Sequence, residues 1–383
     1  MTIDFLWRLP TAGDARQARL GLWQLNGTGT ETGHFADSGY RRAPRDRFTY
    51  GDYLAQVAKA ADVTGFAGVL LPAGPDGEEP WTVAAALTRE TRHLRFLPTF
   101  DTAIAKPVHI ARASMTVQRH SASRIDWNII AGENEQVQRR LGDTAPLEDR
   151  YRRNGEFLDI ARGVLTEEAF SYQGRIYQVE KGGLQAPLGP RPLPTAYLSG
   201  ASETALDIAA RHADVYVTWL QPLEVLKRRI DDLRERAARH GRILRFAIRA
   251  DIIARHDDDE AWQEARRLAE TTDAEAARQS LARTSDEFDG GAAERDFVAP
   301  YAGATRFEDS VIAPHLWGGP GGVRPGASVV LVGGYANLAE TLAAYVEAGI
   351  DSFILASSPH FDEAYRIGEN LLPHFAGTAR AAE

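Results

Sequence analysis

Two arginines, a histidine and a hydroxyl-rich turn are the residues of this sequence best suited to chemistry. Arg249 sits in the apolar run Leu244–Ile253. A buried guanidinium there needs an anion, supplied by the protein or by a ligand, because an unpaired buried charge is costly. Asp251, two residues on, is one such anion. Arg324 lies in the glycine-rich segment Trp317–Gly326, which reads either as a solvated loop or as a loop that closes a cation over an anionic substrate. His360 opens the segment His-Phe-Asp-Glu-Ala-Tyr365, and histidine titrates where a proton donor or acceptor is useful. In Tyr197-Leu-Ser-Gly-Ala-Ser-Glu-Thr-Ala205 an apolar run ends at Ser199-Gly200 and a helix is expected to start at Ser202. Ser202 reads as an ordinary N-cap or, with the orphan amides around it, as part of a phosphate site. The sequence has no cysteine, which excludes disulfides, thiolate ligands and thiol nucleophiles, and its 10 histidines show no metal-ligand spacing, so no metal is expected.

These residues fall where elements must end. Eight short apolar runs recur along the 383 residues: Ile3–Leu9, Gly68–Leu71, Leu94–Leu97, Arg124–Ile130, Thr195–Ser199, Val215–Thr218, Leu244–Ile253 and Ser352–Leu355. Between most of them lie stretches with apolar residues at helical spacing: Tyr50–Thr64, Pro80–Arg89, Pro107–Arg119, Tyr151–Thr166, Ser202–Arg211, Leu223–His240 and Leu338–Ala348. This alternation predicts an α/β fold, a (β/α)8 TIM barrel forming a single domain over residues 1–383. A doubly wound sheet is the alternative, but no Gly-x-Gly-x-x-Gly turn follows the first run. A barrel leaves three insertions: Asn26–Arg47 after strand one, Gln173–Pro194 before strand five, and Asp257–Gly334 between strands seven and eight. The third includes a charged helix, Asp258–Thr271. A barrel also places its site at the C-terminal strand ends, where the sequence has Arg8, Asp101, Asn128, Ser199, Ser202, Trp219, Arg249, Asp251, Ser358 and His360.

With 44 Lys+Arg against 53 Asp+Glu, the formal charge of −9 has the wrong sign for a chain that lives by phosphate-backbone attraction, so no nucleic-acid partner is expected. No window approaches the roughly 18 consecutive apolar residues of a membrane span. The N-terminal MTIDFLWRLPTAGD has no leader pattern. The expectation is a cytoplasmic protein without a membrane partner.

Five segments together resemble the FMNH2-dependent alkanesulfonate monooxygenases of the bacterial luciferase-like flavin monooxygenase family: Tyr197–Ala205, Asp214–Trp219, Arg245–Arg249, Leu316–Arg324 and Phe353–Tyr365, in register from Phe5 to Phe375. The resemblance implies a barrel that takes reduced FMN (FMNH2) from a separate NAD(P)H:FMN reductase and couples it to O2. It implies cleavage of a sulfonate's C–S bond to sulfite and an aldehyde, and a homodimer or homotetramer. Carried over by position, it implies that Asn128, Tyr151, Ala201 and Ser202 hold the cofactor, and that Trp219, Arg249, Arg324 and His360 form the catalytic set.

Several positions depart from that pattern. Asp251 and Ser358 stand where the family usually has His and Tyr, while Gly77 and Ala12 replace a cysteine and a histidine of the closest alkanesulfonate enzymes. The resulting pocket is expected to be enlarged, with Asp251 and Ser358 joining Arg324 in substrate binding. If Arg249 meets a substrate anion, a hydroxylated, amino-bearing or sugar sulfonate is favoured; if Asp251 neutralises Arg249, a different oxygenation is. An F420-dependent dehydrogenase and a flavin-binding protein without turnover are the other readings of such a barrel.

Overall fold

Period-two alternation decides which side chains enter the middle of the molecule. Strand β1 (Asp4–Arg8) buries Leu6 on one face and Phe5 and Trp7 on the other. Leu6 packs with Leu70, Leu97, Tyr197, Val215, Val217, Ala247 and Ile354, which come from six other strands, so this set is the barrel interior. Residues of the opposite parity, such as Trp7, Val69, Phe96, Trp127, Leu198, Tyr216, Phe246 and Phe353, pack into the apolar layer shared with the helices. The computed structural model describes residues 3–11, 49–74, 77–132, 135–184, 188, 193–271, 300–301, 304, 306–319 and 329–375.

After β1 come α1 (Tyr50–Val63), β2 (Gly68–Leu71), α2 (Pro80–Leu87), β3 (Arg95–Asp101), α3 (Pro107–Ser121), β4 (Trp127–Ile130), α4 (Glu135–Arg140) and α5 (Leu147–Thr166). A hairpin of β5 (Tyr172–Gln173) and β6 (Gln178–Val179) precedes β7 (Ala196–Ser199), α6 (Glu203–His212), β8 (Val215–Trp219), α7 (Leu223–Arg239), β9 (Arg245–Arg255) and α8 (Asp258–Thr271). The chain continues through β10 (Val311–Ala313), β11 (Leu316–Trp317), β12 (Val330–Gly334), α9 (Tyr335–Glu347), β13 (Ser352–Ala356) and α10 (His360–Asn370). β1, β2, β3, β4, β7, β8, β9 and β13 pair in parallel in that order, and β13 returns to β1, closing an eight-stranded parallel barrel. All eight barrel strands overlap the eight apolar runs, and the charged helix forms over Asp258–Thr271 as expected.

Among the described residues, β12 with its neighbours β10 and β11, and the short helix α4, are additional to the expected set. β12 pairs in parallel with the far end of β9, Val330 opposite Asp251 through Gly334 opposite Arg255. Asp251 also pairs with Ala356, so β12 and β13 flank opposite edges of β9, and β12 takes over the edge that β8 leaves at Arg249. Ile253, Val330, Val332 and Trp317 pack there beneath Ala261, Ala265 and Leu268 of α8.

At the N-terminal mouth, Asp4, Arg95, Asp126, Tyr197 and Arg245 form a charged floor. Arg95 makes a two-pronged contact with Asp126, at 2.8 and 2.5 Å. Burial raises the Asp4 carboxyl, against the pull of Arg245 and Arg95. This end serves the barrel's closure, and the C-terminal end holds the candidate site.

Candidate functional site

The cofactor end is built by the turn from β7 into α6. Gly200 has φ +133, a conformation side chains rarely adopt, and a Cβ there would lie 2.5 Å from the Tyr151 hydroxyl and 2.6 Å from the Ala205 Cβ. The glycine therefore lets Tyr151, buried on α5, approach the turn. Tyr151, Ala131 and Ala205 pack as one cluster, with Leu147 and Ile208 against it. Ser202 caps α6, its Oγ accepting the Ala205 amide at 3.2 Å. The Gly200 carbonyl accepts the Tyr216 hydroxyl at 2.8 Å, tying the turn to β8. The amides at Ala201 and the start of α6 thus stand at a helix N-terminus beside a tightly packed glycine turn, a geometry that suits a phosphate. Asn128 enters from β4 with inward parity, half-buried, its Nδ2 donating to Thr99 Oγ1 of β3 at 2.8 Å. Tyr151, Ala201 and Ser202 thus meet at the β7–α6 turn, whose helix-start amides would suit a phosphate such as FMN carries, and Asn128 stands on the inner wall at β4.

The positions expected to meet substrate begin on the next strands around the wall. Trp219 and Arg249 are register partners on β8 and β9, and the Arg249 guanidinium sits over the Trp219 ring, 4.4 Å from its centre. That contact holds a long cation flat against an apolar face at the barrel mouth. Asp251 follows on β9 with the same parity and is buried. Ser358, two residues beyond the end of β13, is half-buried. His360 is placed differently. It is the first residue of α10, 1% exposed, and its ring stands edge-on to Trp7 at 5.9 Å. Trp7 has outward parity on β1, so His360 lies between the barrel wall and its helices, behind the inner face that carries Arg249. Arg324, Ala12 and the segment 26–47 lie outside the described residues.

A buried ionic network supports the cofactor side, and the sequence reading did not anticipate it. Arg153 donates to Asp143 at 2.6 Å and to Asp101 at 3.2 Å, and its Nε reaches Thr102 Oγ1 at 3.1 Å. Thr102 in turn donates to Asn154 at 2.7 Å, and Tyr177 of the hairpin donates to the Thr102 carbonyl at 2.9 Å. Arg150 donates to the Gly132 carbonyl, just past β4, at 2.5 Å. Burial raises the Asp101 carboxyl, opposed by the Ala103 amide and by Arg153. Burial also acts to raise Asp143, but hydrogen bonds from Arg153 and the Ala145 amide, with the charge of Arg150, hold it below the ordinary carboxylate range. Burial pushes the Tyr177 phenol up to about 12, keeping it a neutral donor. A signal was present: Arg150 and Asn154 are spaced i, i+4 with Phe157, Leu158 and Ala161 on the buried face of α5.

Known structures of the same architecture span several chemistries. Similarity extends to the EDTA monooxygenase of Chelativorans sp. BNC1, with 16% identity, a TM-score of 0.71, and coverage of 99% of this chain and 94% of that one. A long-chain alkane monooxygenase has 18% identity and a TM-score of 0.72 over 99% of this chain and 92% of that one. An F420-dependent secondary alcohol dehydrogenase, solved with an F420–acetone adduct, has 14% identity and a TM-score of 0.63 over 99% of this chain and 100% of that one. At such identities the likeness speaks for the TIM-barrel fold. Residues 30–352 match the luciferase-like monooxygenase family. The chain belongs to that family of oxidoreductases.

Proposed function

We propose that this enzyme is the oxygenating component of a two-component, FMNH2-dependent monooxygenase acting on an organosulfonate. The observation that carries the reading is the Trp219–Arg249 stack, a cation fixed at the barrel mouth two strands from the Ala201–Ser202 turn. Reduced FMN, delivered by a separate NAD(P)H:FMN reductase, supplies the electrons that activate O2. Ser202, the Ala201 amide and Tyr151 hold its phosphate end, and Asn128 contacts it from β4. Arg249 binds the sulfonate through charge-assisted hydrogen bonds while Trp219 keeps the guanidinium flat and excludes water from one side. Arg324 adds a second cation to the anion, and Asp251 and Ser358 accept from hydroxyl or amine groups elsewhere on the substrate. His360, packed against Trp7 behind β1, supports the wall and takes no direct part in the transfer. One oxygen atom enters the aldehyde and the other leaves as water.

The same reading takes the 383 residues as one domain that works in the cytoplasm as a homodimer or homotetramer. An F420-dependent dehydrogenase on this barrel is the second reading, favoured by the likeness to the F420-dependent alcohol dehydrogenase. The test supplies FMN, NADH and an unrelated flavin reductase in air, with plain alkyl, amino-bearing and sugar sulfonates, and follows sulfite. Sulfite from one class supports desulfonation and defines what Asp251 and Ser358 select. Absence of sulfite from every class, with F420 reduced by an alcohol, would establish the second reading instead.

A further inference from the structure

Asp251 is a buried carboxylate, 4% exposed, and burial of a charge demands a counter-charge. Two cations share its inward parity at this rim, Arg249 on its own strand and Arg8 at the end of β1. Arg8 is equally buried, also 4% exposed. The sheet register separates their claims. Arg249 stands in the row Ile354–Arg249–Trp219, and its guanidinium leans toward β8, over the Trp219 ring at 4.4 Å. Asp251 stands one inward position higher, in the row Ala356–Asp251–Val330. The β1–β13 register runs to Trp7 opposite Leu355, and continued by one residue it sets Arg8 opposite Ala356. On its other edge Arg8 pairs with Leu70 of β2. The complete row therefore reads Leu70, Arg8, Ala356, Asp251, Val330. An opposite-charge pair is bracketed by apolar side chains, with a single methyl group between its members. At about 4.8 Å per strand, the two charged positions are about 9.6 Å apart across β13. That is the span an arginine and an aspartate close when they lean toward each other over an alanine.

We infer that Arg8 is the counter-ion of Asp251, and that it is a positioning residue for the candidate site. The Arg8–Asp251 pair bridges β1 and β9 above Ala356, and it holds the Asp251 carboxylate on the β13 side. The carboxylate is then kept from cancelling the charge on the Arg249–Trp219 unit. The functional consequence rests on the proposed role of Arg249 toward an anion; the pairing itself does not.

The pairing is tested without a substrate, by urea unfolding of Arg8→Gln, Arg249→Gln, Asp251→Asn and the two double variants R8Q/D251N and R249Q/D251N. Removing Arg8 strands a buried carboxylate, so R8Q lowers the unfolding midpoint and adding D251N restores at least half of the loss; D251N gives R249Q no such recovery. Should R8Q be insoluble, recovery of soluble protein in R8Q/D251N is the same result. Rescue of R249Q but not R8Q, or rescue of neither, overturns the inference. The positioning role is read from protection by methanesulfonate against thermal unfolding. R8Q loses at least half of the rise in Tm, whereas Arg8→Lys retains it. Full protection in R8Q contradicts the positioning role. Absence of protection in the unaltered enzyme counts against the anion role proposed for Arg249, while the unfolding cycle still decides the Arg8–Asp251 pair.

Discussion

At the scale of single residues the account rests on one cation and one glycine. Arg249 is held against Trp219, so its truncation removes charge from the barrel mouth without opening the core. Arg249→Ala is expected to lower kcat/KM for the preferred sulfonate by about 30- to 1,000-fold, corresponding to the ~2–4 kcal/mol lost with a desolvated charge contact. Steady-state kinetics with saturating reduced flavin measures this, and an unchanged kcat/KM would remove Arg249 from the site. Gly200 meets two constraints together, a positive φ and the approach of Tyr151. Gly200→Ala is expected to cost roughly 1–3 kcal/mol of stability and to weaken FMN binding, because the turn must move to admit a Cβ. Flavin titration alongside urea unfolding checks both parts; normal affinity in a destabilised variant would detach the turn from the cofactor.

At the scale of elements, the buried network between β3 and α5 ties stability to pH. Burial raises the Asp101 carboxyl in the folded state. Its contribution is therefore fully present below the unfolded aspartate value and is lost as pH rises through the folded one. The stability of the unaltered enzyme relative to Asp101→Asn should then decline from acid toward neutral pH, as read by urea midpoints across that range. A difference that grows with pH contradicts the assignment. These elements also show what was legible beforehand. The eight barrel strands announced themselves as apolar runs because each is buried on both faces, by the interior and by the helix layer. The β7–α6 turn was legible because a strand ending in glycine and a helix starting at serine are local signals. The Arg150–Arg153–Asp101–Asp143 network went unread, despite the buried-face spacing of Arg150 and Asn154, because arginines on a helix ordinarily read as solvated. His360 was legible as the opening of a helix, but no spacing in the chain tells which side of β1 its ring occupies.

At the scale of the whole molecule, one strand does two jobs. β9 belongs to the barrel through Asp251 and then leaves it, carrying β12, β11 and β10 as an outer extension under α8. The apolar run Val329–Val332 carried the signal for β12, but a strand parallel to the end of β9 cannot be told from loop by local pattern when the partner is some eighty residues earlier. Ile253 is 2% exposed in the extension's core. Ile253→Ala is expected to cost roughly 2–5 kcal/mol, the range for removing a buried aliphatic side chain. Urea unfolding reads that loss, and a cost below about 1 kcal/mol would mean that the extension adds little to the barrel's stability.

The central claim is that this barrel couples reduced FMN and oxygen to the release of sulfite through Arg249. The most direct measurement is sulfite formed per O2 consumed, for the unaltered enzyme and for Arg249→Ala, with the sulfonate that the panel selects. The account predicts one sulfite and one aldehyde per productive O2 in the first and almost none in the second, with reduced FMN still bound by both. Equal sulfite release from the two, or oxygen consumed in the unaltered enzyme with no sulfite from any sulfonate, would contradict it.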